Sequence, residues 1–270
     1  MEKKLIGLGL LAGAVAGLAS FAYARIQIAP LIAEAISYEE GHSHAAAAAG
    51  GEHGHEHEVF TRGIQENLGA GVGTVMFAII TGALFAVAMS LVITTLKRHR
   101  VAADPRLVAV LAAGAGFVTV GVVPWVAYPA NLPGVGHPET AGDRTTAYLT
   151  LIIASLALAA VAGAAALRLA PRLGAWPAAV TGAVGYLVAV SVVIAVLPSF
   201  HETPSAVTAS DGSVLFPAFP ADLLSDFRTD ALLCQALLWF VIAGSYAVLL
   251  PRVLDAGRTT TMGGALSAHR

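Results

Sequence analysis

A chain of 270 residues in which 57% are apolar and only 12% charged, with a mean hydropathy of +0.75, is too poor in charge for a water-soluble domain, where about a quarter of residues are charged. Its net charge of -2 says nothing by itself about nucleic acid, because the few charges are sorted by side rather than pooled, and no nucleic-acid partner is expected. The one cysteine, Cys234, excludes an intramolecular disulfide and a thiolate metal cluster.

An all-α integral membrane protein is what remains, and apolar runs of about 20 residues mark its spans. The first covers residues 5–24, behind Lys3 and Lys4. A basic start, an apolar run and Ala22-Tyr23-Ala24 also fit a cleavable signal peptide. Gly9, Gly13 and Gly17 recur every four residues, however, which suits a retained helix that a neighbour approaches closely. A His-rich loop follows at 37–63, and further spans are expected at 68–96, 107–128, 147–167, 178–197 and 231–250. Lys97, Arg98, His99, Arg100 and Arg106 make a basic turn after the second span, and Pro124 interrupts the third near its end. Pro129, Pro133, Gly134, Gly136 and Pro138 read as a loop, and Arg168, Pro171 and Arg172 as a short turn. Residues 198–230 form a longer polar connection, and 251–270 a polar tail expected to lack order.

Six transmembrane helices place alternate connections on two sides. Lys3, Lys4, the basic turn after the second span, Arg168, Arg172 and the tail's Arg252, Arg258 and Arg270 all fall on one side. Cytoplasmic loops collect Lys and Arg, so both termini are expected inside and the His-rich loop outside. Most acids and histidines fall on that outer side, where they would attract cations. Gly17, Gly116 and Gly185 each precede a proline (Pro30, Pro129, Pro198) by the same interval. That spacing admits three parallel helical-hairpin repeats.

The chemistry-bearing stretch is Gly41 to Glu58. It holds His42, His44, His53, His55 and His57, interleaved with Glu52, Glu56 and Glu58. Neutral imidazoles with carboxylate co-ligands suit divalent transition metals. In an extended strap, His-x-His sets two rings on one side. Glycines and few bulky residues point to a mobile strap rather than a fixed cage, against the plainer reading of a polar spacer. His137 and Glu139, and His201 and Glu202, lie just beyond proline-ended spans and would pass an ion to the mouth of the bundle. Asp143, Asp226 and Asp230 are better read as acids at helix N-terminal ends.

No span core carries Asp, Glu, Lys, Arg or His, so a buried proton-coupling carboxylate is not written here and bis-histidine haem is excluded. A route would use hydroxyls such as Thr119 and Ser155, the Cys234 thiol, or backbone groups. No phosphate-cradling Gly-Lys-Ser/Thr loop and no Ser/His/Asp arrangement is present, so the chain reads as no enzyme. It is not expected to hold a permanent cofactor.

Several short motifs carry a family likeness: Arg25-x4-Pro30-Leu31-Ile32-x-Glu34-Ala35, then Tyr38-Glu39, the Gly/His/Glu-rich insert, Tyr128-Pro129-x-x-Leu132-Pro133-Gly134, and Gly142-Asp143-Arg144. On these the chain resembles the CbtA family of cobalt transporter subunits. The resemblance implies a multi-pass protein of a bacterial or archaeal cytoplasmic membrane that helps import cobalt for corrinoid synthesis. It also implies a small one-span, His-bearing partner, CbtB. Nickel and zinc compete with cobalt at such ligands. The expectation is therefore a membrane permease subunit for a divalent transition metal, cobalt first, embedded in the lipid bilayer and compatible with a homo-oligomer. The alternative is a non-transporting membrane metal-binding sensor or assembly subunit.

Overall fold

The structure, a computed structural model, describes residues 2–48 and 69–267, with side chains for 3–48 and 69–253. Among the described residues six helices are long and apolar enough to cross a membrane: Lys3–Ala48, Ala70–Arg98, Pro105–Ala127, Pro138–Leu173, Ala175–Val196 and Ala221–Val253. Large apolar side chains such as Leu84, Leu91, Val161 and Phe240 point outward. Lipid is as apolar as leucine, so a bundle in a bilayer has no reason to hide them. The all-α membrane architecture read from composition is the one found.

The first span consists of α1 (Glu2–Tyr23), a π-helical stretch Ala24–Ile28, and α2 (Ala29–Ala48). The second is α3 (Ala70–Arg98). The third is α4 (Pro105–Gly116), a π-helical stretch Phe117–Val122, and α5 (Val123–Ala127). A 3-10 turn, Pro138–Thr140, leads into α6 (Ala141–Leu173), and α7 (Ala175–Val196) follows. Then come two short antiparallel strands, β1 (Val207–Thr208) and β2 (Val214–Phe216), and α8 (Ala221–Ser267).

Several boundaries differ from the expectation: the fourth helix begins by Ala141 rather than at 147, and the sixth begins at Ala221 rather than at 231, so the polar connection after residue 198 ends ten residues sooner. The first helix does not stop at residue 24 but runs to Ala48. Residues 31–48 are rich in Ala and Glu, good helix formers, and one face of them has something to pack on. Both π-helical stretches end two residues before a proline, Pro30 and Pro124. A proline has no N–H to donate, and a widened turn is one way a helix absorbs that loss without ending. Pro30 therefore sits inside a continuous helix, whereas Pro129 and Pro198 lie just past helix ends. Arg168, Pro171 and Arg172 belong to α6 rather than to a turn; the turn is Gly174 alone, at φ +88. Only glycine adopts that backbone without strain. Residues 251–267, expected without order, continue α8.

The chain forms two compact units, Met1–Ala22 with Asn67–Val118 and Cys234–Arg270, and Tyr23–Glu66 with Thr119–Leu233. In the first unit, glycine brings backbones into contact. A Cβ on Gly9 would meet the Gly82 carbonyl, one on Gly13 the Ala78 carbonyl, and one on Gly17 would lie 2.8 Å from Val75 Cα. The four-residue glycine spacing of α1 thus serves the close approach read from it. On the other flank, buried Tyr246 donates to the Leu5 carbonyl at 3.3 Å and stacks edge-on with Phe85 at 4.8 Å. The Trp239 ring occupies the space a Cβ on Gly116 would need. In the second unit, α6 and α7 pair as a hairpin, with Gly182 tight against the Ala162 carbonyl.

Gly82→Ala should lower the thermal midpoint in detergent, since its Cβ meets backbone on α1 that cannot yield; overpacking of this kind costs about 1–3 kcal/mol. Gly73→Ala, where a Cβ meets nothing within 4 Å, should leave the midpoint unchanged.

Candidate functional site

One face of α2 organises the second unit. Ile28, Leu31, Ile32, Ala35 and Tyr38 recur at three- and four-residue intervals and therefore share a stripe. They pack on Leu132 and Val135 of the loop after α5 and on Phe219, Leu223, Leu224 and Phe227 around the start of α8. Where water is the alternative, each such large side chain contributes about 1.5–3 kcal/mol on burial. Polar contacts fix the register: Tyr38 donates to the Pro217 carbonyl at 2.9 Å, Trp125 Nε1 to the Arg228 carbonyl at 2.8 Å, and Arg228 Nη2 to Asn131 Oδ1 at 2.8 Å. Tyr23 donates to Asp230 Oδ1 at 2.7 Å; Asp226 and Asp230, expected at the N-terminal end of the sixth span, lie inside α8 instead, because that helix already begins at Ala221 and holds only Asp222 in its first turn.

Beside this cluster opens a pocket of about 400 Å³, lined by Tyr38, Glu39, His42 and Ser43 of α2, Gly134, Gly136 and His137 of the loop, and Glu202 to Ser205. His42 lies against aromatic rings, stacked on Tyr38 at 5.8 Å and edge-on to Phe216 at 6.1 Å. Gly41 permits this, because a Cβ there would stand 2.8 Å from the Phe216 ring. On the other wall, Glu202 Oε2 accepts from the His137 amide at 2.8 Å and from the Thr140 hydroxyl at 2.8 Å, with Arg144 Nε at 3.8 Å. The Glu202 carbonyl accepts from the Gly136 amide at 3.0 Å, and Arg144 Nη2 donates to the His137 carbonyl at 3.0 Å. Gly136, at φ +101, leaves room for the Arg144 guanidinium where a side chain would collide. The His137 amide above all, then the Thr140 hydroxyl and the Arg144 charge, outweigh partial desolvation and hold the Glu202 carboxyl below the usual carboxylate range.

Of the predicted site residues, the pocket therefore brings together His42, His137 and Glu202. Glu202 is committed to holding the His137 loop, which the sequence did not reveal. Glu139 and His201 are exposed and do not line the pocket; His44 is exposed on α2, about 200° around the helix from His42. The extended His-x-His geometry expected for His42 and His44 is thus replaced by a helical one, in which the two rings diverge. Glu52, His53, His55, Glu56, His57 and Glu58 lie outside the described residues. Among the described residues no three His, Cys, Asp or Glu side chains converge as a ready-made metal site.

Sequence reasoning also missed a polar knot between helices. Tyr186, Ser155 and the Thr119 carbonyl form a buried chain, with 2.8 Å between the two hydroxyls and 3.0 Å from Ser155 Oγ to the carbonyl. Thr119 lies in the π-helical stretch five residues before Pro124, which has no N–H to return to it. Thr119 and Ser155 stand out in the sequence as hydroxyls in apolar spans, whereas nothing in it singles out Tyr186 as their partner.

Against known proteins, the family model described as "Probable cobalt transporter subunit (CbtA)" matches residues 2–251. The chain belongs to the CbtA family. No curated protein and no solved structure matches it. In this CbtA-family chain several of the short motifs behind the resemblance meet in one place: Ala35 and Leu132 share the apolar cluster, and a Cβ on Gly134 would stand 3.3 Å from Glu39 Cβ. Arg144 clasps the same loop.

Because the folded Glu202 carboxyl titrates below its unfolded value, its contribution is complete above the ordinary carboxylate range and is lost as pH falls through the lowered value. Hydrogen exchange of residues 134–140 should thus accelerate as the medium is acidified below about pH 4, and Glu202→Gln should remove that acid-dependent step. Ser155→Ala should cost about 0.6–2 kcal/mol, the range for hydrogen bonds between membrane helices, read as a lower thermal midpoint than for Ser191→Ala on an exposed face.

Proposed function

We propose that this chain is a membrane permease subunit for uptake of a divalent transition metal, cobalt first. One observation carries the reading: in a family of cobalt transporter subunits, two imidazoles from distant parts of the chain, His42 and His137, line one pocket with Glu39 and Glu202. Imidazole nitrogen with carboxylate oxygen is a donor set for Co²⁺, Ni²⁺ and Zn²⁺ alike. Two histidines make a weak, reversible site, and transport needs a site that lets go. The cluster from Glu52 to Glu58 would raise the local ion concentration near it, His44 would extend that cluster, and Glu139 and His201 would add acid and imidazole around the mouth. The basic loops favour a cytoplasmic membrane of a bacterium or archaeon with this face outside. A subunit implies a partner, for which the one-span CbtB-type protein is the first choice; a homo-oligomer is compatible with the same reading.

Sealed vesicles containing the purified protein, with and without the one-span partner, test the reading with radioactive cobalt. A permease accumulates the ion inside, with nickel and zinc competing. A sensor or assembly subunit binds it on one face only, and that result would replace the permease reading. His42→Ala with His137→Ala should raise the half-saturating cobalt concentration about ten-fold, the equivalent of about 1.4 kcal/mol of binding, with the maximal rate retained. Removing residues 52–58 should reduce uptake at low cobalt far more than at high cobalt. A tag inserted among the alanines after His44 must be reachable from outside; a cytosolic tag overturns external capture.

A further inference from the structure

A second cavity lies in the first unit. It is a groove of about 390 Å³ between the start of α1 and the stretch of α8 around Pro251. Lys4, Gly7, Leu8 and Leu11 form one wall at helical spacing, and Leu249, Arg252 and Val253 form the other. The floor is firm: Leu5, Leu8 and Leu250 are buried, and the hydrogen bond from Tyr246 to the Leu5 carbonyl ties the two helices together beneath it. Gly7 is the gap in the wall, since a Cβ there would meet nothing within 4 Å. Lys4 and Arg252 stand exposed at the rim, and among the described residues no carboxylate pairs with either.

We infer that this groove seats one anionic phospholipid, its phosphate between Lys4 and Arg252 and an acyl chain along Gly7, Leu8, Leu11 and Leu249. The chemistry commits to a lipid on two counts. Both walls belong to spans that cross the bilayer, so an apolar slot between them meets acyl chains before anything else. At the same time, among the described side chains, the charged groups that line it are the cations Lys4 and Arg252, which complement an anionic headgroup. Long basic side chains place their stems along apolar surface and their charged ends at the headgroup level. Arg252 also brings a planar fork suited to phosphate oxygens, and Lys4 a mobile point charge. The inference is independent of the ion the protein handles.

The test uses the full-length purified protein in nanodiscs and native mass spectrometry of the lipid retained after extraction. Phosphatidylglycerol and phosphatidylcholine with identical acyl chains are offered together, and inorganic phosphate is added in a parallel arm. Each basic group near a headgroup is worth about five-fold in affinity, so the pair should give about a thirty-fold preference for phosphatidylglycerol. Lys4→Gln with Arg252→Gln should remove that preference. Gly7→Leu, which fills the slot with both charges kept, should reduce retention of either lipid. Equal retention of the two lipids overturns the inference, as does a preference that survives the double substitution. Retention untouched by Gly7→Leu overturns the seat in the groove, and displacement of the lipid by inorganic phosphate identifies a free-anion site instead.

Discussion

The packing of the α2 stripe on Leu132, Val135 and the aromatic start of α8 is the constraint from which the rest of the second unit follows. Without it, residues 31–48 are a modest helix with a glycine at 41 and no reason to hold a fixed direction. With it, α2 is a rigid rod, and Tyr38 and His42 are placed one helical turn apart against Phe216 and Phe219. The loop after α5 closes over the same rod, and Glu202 staples that loop through the His137 amide. Three segments that are far apart in sequence thereby share one pocket.

Much of this architecture could be read from composition. Each apolar run falls on one of the six long apolar helices, because a bilayer imposes length and polarity on every helix that crosses it. The glycine spacing of α1 was legible for the same reason: a small residue every four positions has few uses in lipid other than close contact. Boundaries were harder. Pro30 looks like a helix end, and only the packing of Ala35 and its neighbours shows why the chain continues through it. Pro171 misled similarly: the helix runs on through it to Leu173, and the reversal falls to Gly174.

The site was half legible. Histidines and acids crowding a few segments drew attention to them, and the motif around Gly134 marked a loop that lines the pocket. The sequence could not say that His42 and His44 would sit on a helix and diverge. Nor could it say that Glu202 would be engaged with backbone rather than facing the cavity alone. Such facts depend on contacts between Gly41 and Phe216, and between Gly136 and Arg144, which no single segment contains. Tyr186 illustrates the same limit, being indistinguishable from core packing until Ser155 is placed beside it.

The one-residue junction at Gly174 has a mechanical corollary. Two helices of 33 and 22 residues joined by a single hinge point have no slack at that end. They cannot slide along one another or separate there without breaking helical turns. Any rearrangement of the second unit would therefore move α6 and α7 together at that end, leaving freedom at the opposite end, where Glu202 and His137 hang from the longer connections.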